Sequence, residues 1–69
     1  MEIFQLYGHE FIELNKLLKI TNLVSSGGEA KQFIDQGLVS VNGAVEKQRR
    51  KKLRSGDVVQ FQQSQVKVE

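Results

Sequence analysis

The spacing of apolar residues changes several times along this chain, and each change marks an element. At the start, Ile3 and Phe4 alternate weakly with Gln5 and Glu2, which predicts a strand over 2–7. From Phe11 the spacing turns helical. Phe11, Leu14, Leu17, Leu18 and Thr21 share one face, and Glu13, Asn15, Lys16 and Lys19 take the other. Ile12 and Ile20 fall off this stripe and are expected against the N-terminal segment. Thr21-Asn22 closes the helix. Ser26, followed three residues on by Glu29, forms a capping box and opens a second helix over about 27–36. Ala30, Phe33 and Ile34 form its inner face, with Phe33 as the central knob; Lys31, Gln32 and Asp35 form its outer one. Gly37 provides the left-handed residue that ends it.

A two-residue period then returns. Residues 38–41 read as a strand, and Asn42-Gly43 as a type I′ turn into Ala44-Val45. Ser55-Gly56-Asp57 is a second turn, 58–61 a strand, and 66–68 a last strand after the polar connection Gln62-Gln63-Ser64-Gln65. The order β-α-α-β-β-β predicts an α+β fold, with two helices packed on a small, mainly antiparallel sheet. Phe4, Phe11, Phe33 and Phe61 all have core positions in it. With no repeat and no linker, residues 1–69 are expected to form one domain.

Composition narrows the function. With 69 residues, 39% of them hydrophobic, the core is too small to wall off a deep catalytic cavity. No apolar run approaches the ~20 residues of a membrane span, and the first residues lack the pattern of a secretory signal. The absence of Cys excludes a disulfide framework and a thiolate-bound metal. A cytoplasmic protein with no membrane contact is expected. His9 is the only His, and nothing can complete a nucleophilic pair with it. Glu29 is accounted for by its cap and Asp57 by its turn. No catalytic residue, metal site or cofactor is therefore expected, and the chain is read as a non-enzyme.

Charge points elsewhere. Six of the ten Lys and Arg residues fall within Lys47-Gln48-Arg49-Arg50-Lys51-Lys52-Leu53-Arg54, which contains no acid. The remainder holds four bases against eight acids, a balance of −4. A basic cluster on an acidic body favours an anionic partner. Six neutralised phosphates would give a log–log salt slope of roughly −4 to −5. Gly27 and Gly28 stand in the first turn of a helix, where each costs about 1 kcal/mol relative to Ala. Either they bare amides for a phosphate or they let another element approach closely. With the four Phe residues assigned to the core, only Tyr7 is left for stacking, which favours structured RNA over a single strand.

Ser25-Ser26-x-x-Glu29-Ala30-Lys31-x-x-Ile34-x-x-Gly37-x-Val39-x-Val41-Asn42-Gly43, followed by Gly56-Asp57-Val58-Val59, resembles the S4 domain, an RNA-binding module named for a small-subunit ribosomal protein. The resemblance covers Phe11 to Phe61 without a gap and is similar to that of small stand-alone bacterial S4-like proteins. It implies an S4-like fold with the αL motif and binding of structured RNA, of the ribosomal or transfer RNA class. Candidate RNA-binding residues are Ser26, Gly27, Gly28, Lys31, Lys47, Arg49, Arg50, Lys51, Lys52 and Arg54. A monomer with a possible ribosome-associated protein partner is expected. Two positions depart from the family's pattern. Glu13-Leu14-Asn15 stands where Arg-Leu-Asp is typical, and Gly27 where Arg is frequent. The alternative reading is a protein-interaction adaptor whose basic run docks an acidic partner surface.

Overall fold

Leu14, Leu17 and Leu18 are fully buried, so the helical stripe of the first helix does face the core. The computed structural model describes residues 1–69. Its elements are β1 (Glu2–Phe4), β2 (Ile12–Glu13), α1 (Leu14–Ile20), α2 (Gly27–Asp35), β3 (Val39–Val41), β4 (Ala44–Val45), β5 (Lys52–Leu53), β6 (Val58–Phe61) and β7 (Ser64–Val68). Strands β1-β7-β6-β3-β4 form one sheet in that order, and β2 and β5 form a second pair. Every pairing is antiparallel except β1 with β7. Two helices on a mainly antiparallel sheet is the fold class read from the sequence.

Helix α1 starts three residues later than the apolar spacing predicts. Ile12 and Glu13 pair with Leu53 and Lys52, some forty positions away, and this long-range ladder overrides the local helical period. Phe11 is only half-buried as a result, and Ile20 is exposed rather than packed on the N-terminal segment. Thr21 ends the helix as read, its hydroxyl donating to the Leu17 carbonyl at 2.7 Å.

Helix α2 follows its sequence signals closely. Ser26 Oγ accepts from the Glu29 amide at 3.1 Å. The reciprocal half of the box is displaced by one residue, because Glu29 Oε1 accepts from the Ser25 amide at 2.8 Å. At the far end Gly37, with φ +77°, donates to Ile34 O while Leu38 donates to Phe33 O. This is the Schellman closure that a left-handed residue permits. Ala30 and Ile34 are fully buried. Phe33 is half-buried instead of central; its ring leans on Phe61 of β6 with centroids 5.0 Å apart.

The sheet holds the remainder of an entirely apolar core, including Val39, Val59, Val66 and Val68. Strand β1 is shorter than predicted. After Phe4 the chain drops Leu6 into the core and turns back through Tyr7 and Gly8, both at positive φ. The connection before the last strand is also shorter. Gln62-Gln63 alone makes the turn, and Ser64 and Gln65 already belong to β7.

The two turns of the sequence signature are in contact. Asn42 Oδ1 accepts from the Val58 amide at 2.9 Å, and Asn42 Nδ2 donates to Asp57 Oδ1 at 3.0 Å. The other Asp57 oxygen accepts from the Arg54 amide at 2.8 Å. Asn42 also takes the left-handed conformation that its turn requires. One side-chain relay therefore ties the β3–β4 turn to the end of the basic run.

Candidate functional site

The basic run leaves β4, passes α2 and α1, and ends in β5. Its backbone is spent on α1. Leu14 N donates to Lys51 O at 2.9 Å and Asn15 N to Arg49 O at 3.0 Å. These bonds satisfy two of the donors that a helix leaves orphaned at its start, in place of the side-chain cap that Glu13 does not provide. A turn closed by Lys51 N on Gln48 O presents Arg49 and Arg50 beside α2.

The side chains of the run disperse over three places. Lys47 lies at the C-terminal end of α2, where a β-carbon placed on Gly37 would stand 3.5 Å from its Cε. Its charge there suits the negative end of the helix dipole. Arg49 and Arg50 lie along α2 instead, Arg49 with its Nε beside Asp35 of the last turn. With Asn15, Gly27, Gly28 and Lys31 they line a shallow open depression of about 590 Å³ that has no apolar residue in its wall. Lys52 and Arg54 stand over the Phe11 ring, 5.0 and 5.7 Å from its centroid. Lys51 is half-buried and serves α1 through its carbonyl. The ten candidate residues thus divide. Gly27, Gly28, Lys31, Arg49 and Arg50 converge, Ser26 caps the helix beside them, and Lys47, Lys51, Lys52 and Arg54 stand outside the depression.

The two explanations for the glycines separate at this point. A β-carbon on Gly27 would meet nothing within 4 Å, and one on Gly28 only Ser26 Oγ at 3.9 Å. No element packs closely on either, so close approach does not explain them. What they leave is an uncovered helix start. The amides of Gly27 and Gly28 have no partner in the chain, and the helix dipole adds partial positive charge. Lys31 is exposed and has no acidic partner; nor does Arg50. Arg49 Nε lies 3.4 Å from Asp35 Oδ1, both side chains being about half exposed. Such a pair contributes less than about 1 kcal/mol, but it aims the guanidinium along α2 and leaves its other two nitrogens free. Bare amides, two unpaired cations and a directed guanidinium together form a cradle for an anion with several oxygens.

Asn15 was not among the sequence candidates, and Asp35 was read only as outer-face polar. Both matter through contacts with residues more than ten positions away, which local spacing does not encode. The comparisons with known proteins add a second line. A family model for the S4 domain matches residues 4–69, nearly the whole chain. The chain belongs to the S4 domain family. Among its S4 relatives, "Putative RNA-binding protein YbcJ" of Escherichia coli is 41% identical over 68 residues, covering 99% of this chain and 97% of that protein. "Probable ribosome maturation protein RlbA" of Bacillus subtilis is 40% identical over 53 residues, 77% of this chain and 75% of that one. The solution structure of Escherichia coli YbcJ, described as revealing an αL motif involved in RNA binding, matches with a TM-score of 0.75 at 41% identity. The match covers 99% of this chain and 86% of that one. No helix of this S4 domain is long and apolar enough to cross a membrane.

Proposed function

We propose that this S4 domain is a non-enzymatic RNA-binding module that grips the backbone of a structured RNA, of the ribosomal or transfer RNA class, acting as a monomer in the cytoplasm. The observation that carries this reading is the depression lined by Asn15, Gly27, Gly28, Lys31, Arg49 and Arg50. Its amide donors are fixed by backbone and no apolar side chain lines it; of the acids beside it, Glu29 is engaged by the Ser25 amide and Asp35 by Arg49. A phosphate oxygen placed there meets helix amides from one side and guanidinium groups from the other. The RNA-binding and ribosome-maturation names of its relatives support the same reading.

The dispersal of the basic run changes the quantitative expectation. Three cations, Lys31, Arg49 and Arg50, face the depression rather than the six of the run. Binding of a folded RNA should therefore fall with salt at a log–log slope of roughly −2 to −3. Fluorescence anisotropy with a ribosomal or transfer RNA fragment between 50 and 300 mM salt, as approximate limits, measures this slope. An acidic protein at the same concentration serves as the competitor. Tighter binding to the acidic protein than to RNA would replace this reading with the adaptor.

A further inference from the structure

The Phe11 corner is not used by the phosphate cradle, yet its composition is that of a binding site. We infer that it receives an unpaired nucleobase of the same RNA; the inference rests on the RNA reading above and names what a second part of the surface takes.

Phe11 was expected in the core, but the pairing of β2 with β5 keeps it half-buried, directly beyond the Ile12–Leu53 pair. Leu53 is fully buried, so Lys52 and Arg54, its two neighbours in the extended chain, project to the opposite side. Both reach the Phe11 ring. The arrangement holds two long, flexible side chains against an aromatic face, which lowers the entropy cost of engaging them. Glu10 completes the corner, with Oε2 4.0 Å from Arg54 Nη1 and the carboxylate well exposed.

Glu10 decides between occupants. A phosphate here would face a carboxylate at close range and be repelled. A base can take the ring face from Lys52 or stack on the outer side of the Arg54 guanidinium. An aromatic ring and a guanidinium plane are the two protein surfaces on which unpaired bases stack. A carboxylate accepts from the exocyclic amine of cytosine. The position also suits one RNA. Arg50 at the cradle and Arg54 at the corner are four residues apart along the chain, so their Cα atoms are at most about 14 Å apart. A stem held at the cradle can therefore place an adjoining unpaired nucleotide on Phe11.

The test uses the full chain and two RNAs with a common stem, one ending in a cytidine-containing loop and one a blunt duplex. The wild type should bind the looped RNA more tightly. Phe11→Leu keeps an apolar side chain but no π face. It should weaken the looped RNA by about 5- to 150-fold, the value of one stacked base, and leave the duplex unchanged. Phe11→Tyr should keep the preference. Equal effects of Phe11→Leu on both RNAs, or none on either, overturn the inference. Glu10→Gln, at an exposed side chain, guards against a folding defect in the first variant. It should weaken the looped RNA alone. If it tightens both, a phosphate occupies the corner, and if it changes neither, Glu10 reads no base; each result overturns the inference. A wild type that binds the duplex as tightly as the loop overturns only the base site. A wild type that binds neither overturns the RNA reading itself.

Discussion

The two helices begin in opposite ways. The amides at the start of α1 are consumed by the carbonyls of Lys51 and Arg49, so the chain caps itself with its own backbone. At α2 the side chains of Ser26 and Glu29 satisfy one turn, and the amides of Gly27 and Gly28 stay open. The same loop serves both starts: its carbonyls close α1, and its guanidinium groups line the opening at α2. A helix start offers an anion site only where the fold leaves it uncovered. Here one is closed in a way that delivers cations to the other.

The comparison breaks most severely at Leu53. This fully buried residue anchors β5, and with it the carbonyls that close α1. Leu53→Ala should cost about 2–5 kcal/mol. In a domain this small that is a large share of the total stability. Chemical denaturation should show a shifted midpoint, and RNA binding should weaken even in the fraction that remains folded.

A charge reversal acts on the open start alone. Lys31→Glu with Arg50→Glu should lower RNA affinity by about 100-fold near 150 mM salt and flatten the salt slope by about 2. Thermal melting should stay within a few degrees, because neither side chain forms an ion pair in the fold. A melting loss comparable to that of Leu53→Ala would place these cations in the scaffold instead.

The relay from Asn42 to Asp57 to the Arg54 amide sets where the loop ends. Asp57→Ala leaves Asn42 Nδ2 and the Arg54 N–H to water, and should cost about 0.5–1.5 kcal/mol by urea titration. Asp57→Asn, which retains an acceptor, should recover part of it.

The smallest effect sharpens the comparison furthest. At Gly28 a β-carbon fits without strain, so Gly28→Ala should stabilise the protein by up to about 1 kcal/mol. RNA affinity should nevertheless fall several-fold, because the methyl group partly covers the amides. Hydrogen exchange gives the same contrast without mutation. The amides of Leu14 and Asn15 should be protected in the free protein, and those of Gly27 and Gly28 only once RNA is bound.

The open start was legible because its signals are local. Ser26, Glu29 and Gly37 announce the helix ends within a few residues, and two glycines in a first turn signal that the chain forgoes side chains there. The closed start was not legible. Phe11, Leu14, Leu17 and Leu18 do lie at helical spacing, but the boundary at Leu14 is set by Lys51, Lys52 and Leu53, which only the folded chain brings near. The same cause misplaced Phe11 in the core and made the basic run read as one patch. Its side chains point in three directions because its backbone is held by α1. Gln62-Gln63 was missed for another reason: a two-residue turn normally carries Gly, Asn or Asp to reach positive φ, and here Gln62 adopts it without that chemistry. The link between Asn42 and Asp57 stood in the sequence as two separate turns, and their spacing is explained by the hydrogen bond between them.

The position of β7 bears on how the protein comes to fold. This strand is the last in sequence but lies between β6 and β1, with Val66 and Val68 fully buried. The β6–β7 hairpin can close on a two-residue turn and is kinetically easy. Strand β1 must wait for it, because Glu2 pairs with Val66 across nearly the entire chain, and parallel ladders of such long span form slowly. The N-terminal segment should then be the last to dock and the first to detach, fraying while the helices and the central hairpin persist.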